Sequence, residues 1–178
     1  LRREYLDLDF AVEQKNIPRT VAVLESAGYR PQFDLREAHA GQHGFAPGQY
    51  SFLSHPQKIL AEFHTERTLR YFPIPVDFQD LTSRLMTVEI GGQLLRTFCI
   101  EDTLVMLSVH GAKHFWERLG WVLDIAKLIT AQPVDWELLL RIAARMESTR
   151  VLLLGLYLAH DVFEAPLPAP LLEEIHQD

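Results

Sequence analysis

The sequence predicts an α+β fold, with a sheet-and-helix part over residues 1–99 followed by a helical part over 100–178. Three observations predict it. Strand-like alternation punctuated by glycine and proline dominates the first hundred residues, and helical spacing takes over after Ile100. Apolar residues make up 48% of the 178-residue chain and charged residues 23%, the balance of a globular protein able to bury a core. We therefore expect one compact unit with two subregions.

From Tyr5 to Val12 the even positions Leu6, Leu8, Phe10 and Val12 are apolar while Asp7 and Asp9 alternate with them, so a strand with one core face and one acidic face is expected. A helix follows over about Ile17 to Ala27, with Pro18 in its first turn and Gly28 at its stop. A short strand is expected near Gln32 to Leu35, then a loop over Arg36 to Gly48. Gln49–Leu53 and Lys58–Glu66 form a hairpin turned by Ser54 to Gln57. In its second strand Ile59, Ala61 and Phe63 share one face, leaving Glu62 and His64 together on the other. Tyr71 to Gln79, with Pro73 and Pro75, reads as an extended connector, and a second hairpin, Met86–Ile90 with Gln93–Phe98, turns at Gly91 and Gly92. Helices are expected over about Glu101–Trp116, Leu119–Thr130, Asp135–Met146 and Thr149–Phe163, with a short one near the end.

Composition narrows the function classes. A net charge of -7 argues against a surface built for polyphosphate backbones, so a nucleic-acid partner is disfavoured, although tRNA is not excluded. One cysteine, Cys99, allows neither an intrachain disulfide nor a cysteine-based structural zinc site, and it reads as a passive thiol in a reducing cytoplasm. No apolar run reaches the roughly 20 residues that span a bilayer, so no membrane partner is expected.

Asp7 and Asp9, two apart on a strand, project from the same face, and their charges repel unless a cation lies between them. Glu62 is the natural third carboxylate, a charge set in the apolar stretch Ile59 to Phe63, where it needs a reason to be present. Hard oxygen donors of this kind suit Mg2+ or Mn2+ held against the phosphates of a nucleoside triphosphate. Glu62 is also able to accept the proton of an attacking hydroxyl. The alternative is that the pattern is a solvated strand face.

The stretch R-E-Y-L-D-L-D-F-A-V, Arg3 to Val12, resembles the metal-binding strand of the polymerase-beta-like nucleotidyltransferase superfamily. Together with Glu62-Phe63-His64 and H-G-A-K-H-F-W-E-R-L-G-W-V-L-D-I-A, from His110 to Ala126, it is similar to the uncharacterised nucleotidyltransferase family of bacteria, over most of the chain from Arg3 to about Pro168. The resemblance implies a small mixed sheet flanked by helices, with Asp7 and Asp9 as metal ligands and Glu62 as the third carboxylate. The superfamily also carries a Gly-Ser helix start before that strand, and nothing precedes Leu1 here. We expect either a piece of a longer protein or a degenerate member.

His110 and His114 share a helix face with Lys113 close by. Three readings stand open: hydrogen bonding within a helix pair, for which Asp124 is a candidate partner; a zinc pair, which lacks the glutamate of the H-E-x-x-H arrangement; and contacts from His110, Lys113, His114 or Arg118 to phosphate or acceptor. Arg3, His64 and Asp124 join these as candidate substrate-binding residues. Trp116, Trp121 and Trp136 are expected to pack rather than stack on bases. The expected function is metal-dependent transfer of a nucleoside monophosphate from a nucleoside triphosphate to a hydroxyl acceptor. An inactive binding module and a toxin-like tRNA nucleotidyltransferase are the alternatives.

Overall fold

The computed structural model describes residues 7–41, 46–54, 58–66 and 77–177. The chain divides into two compact units, Leu1–Phe78 and Gln79–Asp178.

In the first unit β1 (Asp7–Ala11) leads through a 3-10 turn (Gln14–Asn16) into α1 (Ile17–Ser26). There follow β2 (Tyr29–Pro31), α2 (Leu35–Ala40), β3 (Gln49–Ser54) and β4 (Leu60–His64). The sheet is mixed, in the order β1-β4-β3-β2, with β1 parallel to β4 and the remaining pairs antiparallel. Its core gathers around Tyr50 and Phe52 of β3, with Ile17 of α1 and Ala38 of α2 buried against them and Val12, Val21, Leu24, Leu35 and Phe63 packed at the margin. One face of the sheet thus carries the apolar core. The alternation of a pleated strand then sends Ser51 and Glu62 to the opposite face.

Three expectations change here. The apolar face of β1 is only partly covered: Leu8 and Phe10 stay 46% and 43% exposed, and Phe10 gains its cover by stacking on Phe63 at 4.9 Å. The reason is position, since β1 is the outer strand of the described sheet while the core centres on β3. The short strand falls at Tyr29–Pro31, not Gln32–Leu35, because the chain reverses at Gly28 and pairs with β3 at once. The first five residues of the expected loop, Arg36 to Ala40, belong to helix α2. Asp34 caps it by accepting from the Arg36 amide at 2.7 Å, Glu37 follows three residues on, and Ala38 supplies the buried contact.

The Ser54–Gln57 turn is described only at Ser54, and Arg3 lies outside the described residues. Of the Tyr71 to Gln79 connector, residues 71–76 also lie outside them; its last two residues, Phe78 and Gln79, open helix α3 (Phe78–Ser83).

In the second unit β5 (Met86–Ile90) and β6 (Gln93–Thr97) pair antiparallel across Gly91 and Gly92, whose φ of +58° and +77° suit a tight two-residue turn. Helices α4 (Ile100–Lys113), α5 (Leu119–Ala131), α6 (Trp136–Arg145), α7 (Thr149–Phe163) and α8 (Ala169–Gln177) complete it. α7 packs on α4 and α5, and the buried side chains include Leu104, Ile125, Leu139, Ile142, Leu152 and Leu156. Among the described residues no helix is long and apolar enough to cross a membrane.

α4 stops at Lys113 instead of running to Trp116, because the chain turns back on itself. Phe115 and Trp116 take left-handed φ of 52° and 53°, and the Trp116 amide donates to the Gly111 carbonyl at 2.8 Å. The Trp116 ring lies over Gly111, where a Cβ would run into it, and also reaches Gly155 of α7. Gly111→Ala is expected to destabilise this unit by about 1–3 kcal/mol, the usual cost of an overpacked methyl. The measurement is the urea midpoint of tryptophan fluorescence; an unchanged midpoint would mean that the ring moves aside freely.

Candidate active site

The face of the first unit's sheet opposite the Tyr50–Phe52 core carries the polar groups. Register puts Asp9 opposite Glu62 across β1 and β4, and Ser51 opposite Glu62 and Gln49 opposite His64 across β4 and β3. Three neighbouring strands therefore deliver five polar side chains to one patch. The potential ligand atoms of Asp9, Glu62 and His64 lie within 4.8 Å of one another. Two carboxylates and an imidazole this close form a donor set that fits a divalent cation.

Each member is held differently. Glu62, 14% exposed, accepts from the Ser51 hydroxyl at 2.9 Å through Oε1 and from the Gln49 amide at 2.9 Å through Oε2. Asp9, 64% exposed, accepts from His64 Nε2 at 2.9 Å through Oδ1. His64 Nε2 also lies 3.9 Å from Glu62 Oε2. Like charges directly opposite one another on adjacent strands repel, so Asp9 and Glu62 together need a donor or a cation nearby. His64 supplies the donor.

Asp7 lies on the same face two residues before Asp9, opposite Leu60, exposed and outside the group of three. Strand geometry sets it about 7 Å along β1 from Asp9.

The remaining candidates belong to the second unit. His110, His114 and Trp121 form a ring cluster at the α4–α5 corner. The histidine centroids lie 4.8 Å apart, and those of His110 and His114 lie 5.1 and 5.3 Å from Trp121. Arg118 sits over the Trp121 ring at 5.7 Å, and Lys113 is exposed in the last turn of α4. Asp124 is on α5 in the following turn. The group of three or more potential metal ligands found among the described residues contains neither His110 nor His114. Trp121 is thus in contact with rings and a guanidinium, while Trp116 is packed.

Ser51 and Gln49 were not singled out from the sequence. Their signal was present: positions 49 and 51 share a face of β3, and the hairpin register sets them beside His64 and Glu62. Burial pushes the Cys99 thiol up to about 12, with its contact to Asp102 Oδ2 at 3.0 Å adding to the effect, as expected of a passive thiol.

No curated protein and no solved structure matches the chain. The sequence profile of one family, described as uncharacterised nucleotidyltransferase, matches residues 2–164, which covers both the acidic sheet face and the His110 to Ala126 segment. On that match the chain belongs to the uncharacterised nucleotidyltransferase family.

Proposed function

We propose that the protein transfers a nucleoside monophosphate from a nucleoside triphosphate to a hydroxyl acceptor at the Asp9–Glu62–His64 face, with Mg2+ or Mn2+ as cofactor and pyrophosphate as the leaving group. The observation that carries this reading is the meeting of Asp9 and Glu62, remote in sequence, across β1 and β4 on the polar face of the sheet. A divalent cation bound there would neutralise phosphate charge and lower the pKa of the acceptor hydroxyl. Asp9 and Glu62 would hold it, and we assign Asp7 to the same task from its place on the strand.

Glu62 is anchored at both oxygens by Ser51 and Gln49, so its charge is preorganised and costs little reorganisation during reaction. Each of its oxygens keeps a further lone pair, and we assign it the proton of the acceptor hydroxyl. By itself the α4–α5 corner, with the exposed Lys113 and Arg118 beside the rings of His110, His114 and Trp121, offers cations and flat faces suited to an anionic or aromatic group.

The test incubates the full chain with each nucleoside triphosphate labelled at the α-phosphate, Mg2+ or Mn2+, and mixed small-molecule, protein and tRNA acceptors. Label is expected in one acceptor class, with pyrophosphate released in equal amount. Metal-dependent nucleotide binding without transfer would favour the inactive module instead.

A further inference from the structure

A carboxylate–carboxylate–histidine group invites the reading that all three side chains ligate the cation. The hydrogen bonding of His64 argues otherwise. Its Nε2 is 2.9 Å from Asp9 Oδ1, and an ionised carboxylate only accepts, so Nε2 carries the proton and donates. Its other nitrogen, Nδ1, is buried and has no hydrogen-bond partner among the described residues.

A histidine that ligates through one nitrogen almost always donates from the other to a carboxylate, carbonyl or water. Were Nε2 turned to a metal, the proton would move to Nδ1 and leave a buried N–H with no acceptor among the described residues. With the proton on Nε2, Nδ1 is only a bare lone pair. Gln49 and Ser51 already fix both oxygens of Glu62, whereas the far more exposed Asp9 is held by His64.

Resting on the proposed metal-dependent reading, we infer that His64 is a positioning residue, which holds Asp9 by donation from Nε2, and not a metal ligand. The chain then presents the cation with carboxylate oxygens alone, the donor set that Mg2+ and Mn2+ take and that Zn2+ does not require. Imidazole in the ligand set would instead favour zinc, copper or nickel.

The experiment binds Mn2+ to the full chain, alone and with inorganic tripolyphosphate, which contains no nitrogen, and reads both affinity and nitrogen coupling by electron paramagnetic resonance. No directly coordinated nitrogen is expected. His64→Ala is expected to weaken Mn2+ about 10–100-fold, the usual effect of losing a group that orients a ligand. His64→Gln, whose side-chain amide also donates, is expected to stay within about threefold of the wild type.

A directly bound nitrogen that vanishes in His64→Ala would overturn the inference, as would His64→Gln binding as weakly as His64→Ala, or His64→Ala binding like wild type. Either of the first two results leaves the metal-dependent reading standing. A wild-type chain that binds no Mn2+ in either condition overturns both.

Discussion

Asp9→Asn is expected to lower the rate of nucleotidyl transfer on the order of a thousandfold, about 4 kcal/mol of transition-state stabilisation, with the fold unchanged. The asymmetry follows from the position of Asp9. It is a mostly exposed side chain on the outer strand, so the core around Tyr50 and Phe52 does not depend on it. Loss of its charge also removes repulsion from Glu62 directly opposite, which favours folding slightly. The chemistry has no such latitude, because a neutral amide cannot offset the charge of a bound cation and triphosphate. The measurement pairs kcat/KM with the thermal unfolding midpoint. Wild-type turnover in Asp9→Asn would sink the assignment of the site, whereas loss of fold would sink only the claim that Asp9 is dispensable to the core.

The largest effect on stability is expected from Arg84→Met, at about 3–5 kcal/mol, the range for removing one partner of a buried ion pair. Asp102 is fully buried near the start of α4. Arg84 meets it with two parallel bonds, Nε to Oδ2 at 3.0 Å and Nη2 to Oδ1 at 2.8 Å. The same guanidinium reaches Asp80 on α3 at 2.6 Å, so one residue joins α3 to α4. Asp102 and Asp80 hold the Arg84 pKa above its ordinary value. Without Arg84, the fully buried Asp102 is a charge with no counterion among the described residues, and the Cys99 contact does not replace one.

All three tryptophans, Trp116, Trp121 and Trp136, belong to the second unit, so urea unfolding followed by their fluorescence reports that unit alone. An Arg84→Met midpoint equal to wild type would mean that the pair contributes nothing net. The same network sets an acid limit. Hydrogen bonding from Arg84 chiefly holds Asp80 below its ordinary value of 3.8. A depressed folded-state pKa contributes stability that is present above that value and lost as the pH falls through the lower folded one.

Much of this arrangement was legible in the chain. Alternation at Leu8, Phe10 and Val12 against Asp7 and Asp9, and at Ala61 and Phe63 against Glu62 and His64, assigned faces to β1 and β4 before any pairing was known. The glycine pair at 91 and 92 announced its hairpin, and long amphipathic runs announced α4 to α7, because the spacing of apolar side chains is a local property. Helix α2 was missed although Asp34 and Glu37 carried its cap, since six residues with a single buried alanine leave almost no periodic signal. The left-handed stop at Phe115 and Trp116 was missed because it depends on the open surface of Gly111 and Gly155, which come from two helices.

What the sequence determined by itself is which side chains share a face: a two-residue repeat obliges Glu62 and His64 to point the same way wherever β4 lies. Which faces meet was left to the tertiary structure. The parallel pairing of β1 with β4 set Asp9 beside Glu62, the hairpin register gave Glu62 its Ser51 and Gln49 anchors, and the distances gave His64 to Asp9. Register between strands far apart in the chain is decided by how a whole core packs, a sum over many contacts to which no short motif has access.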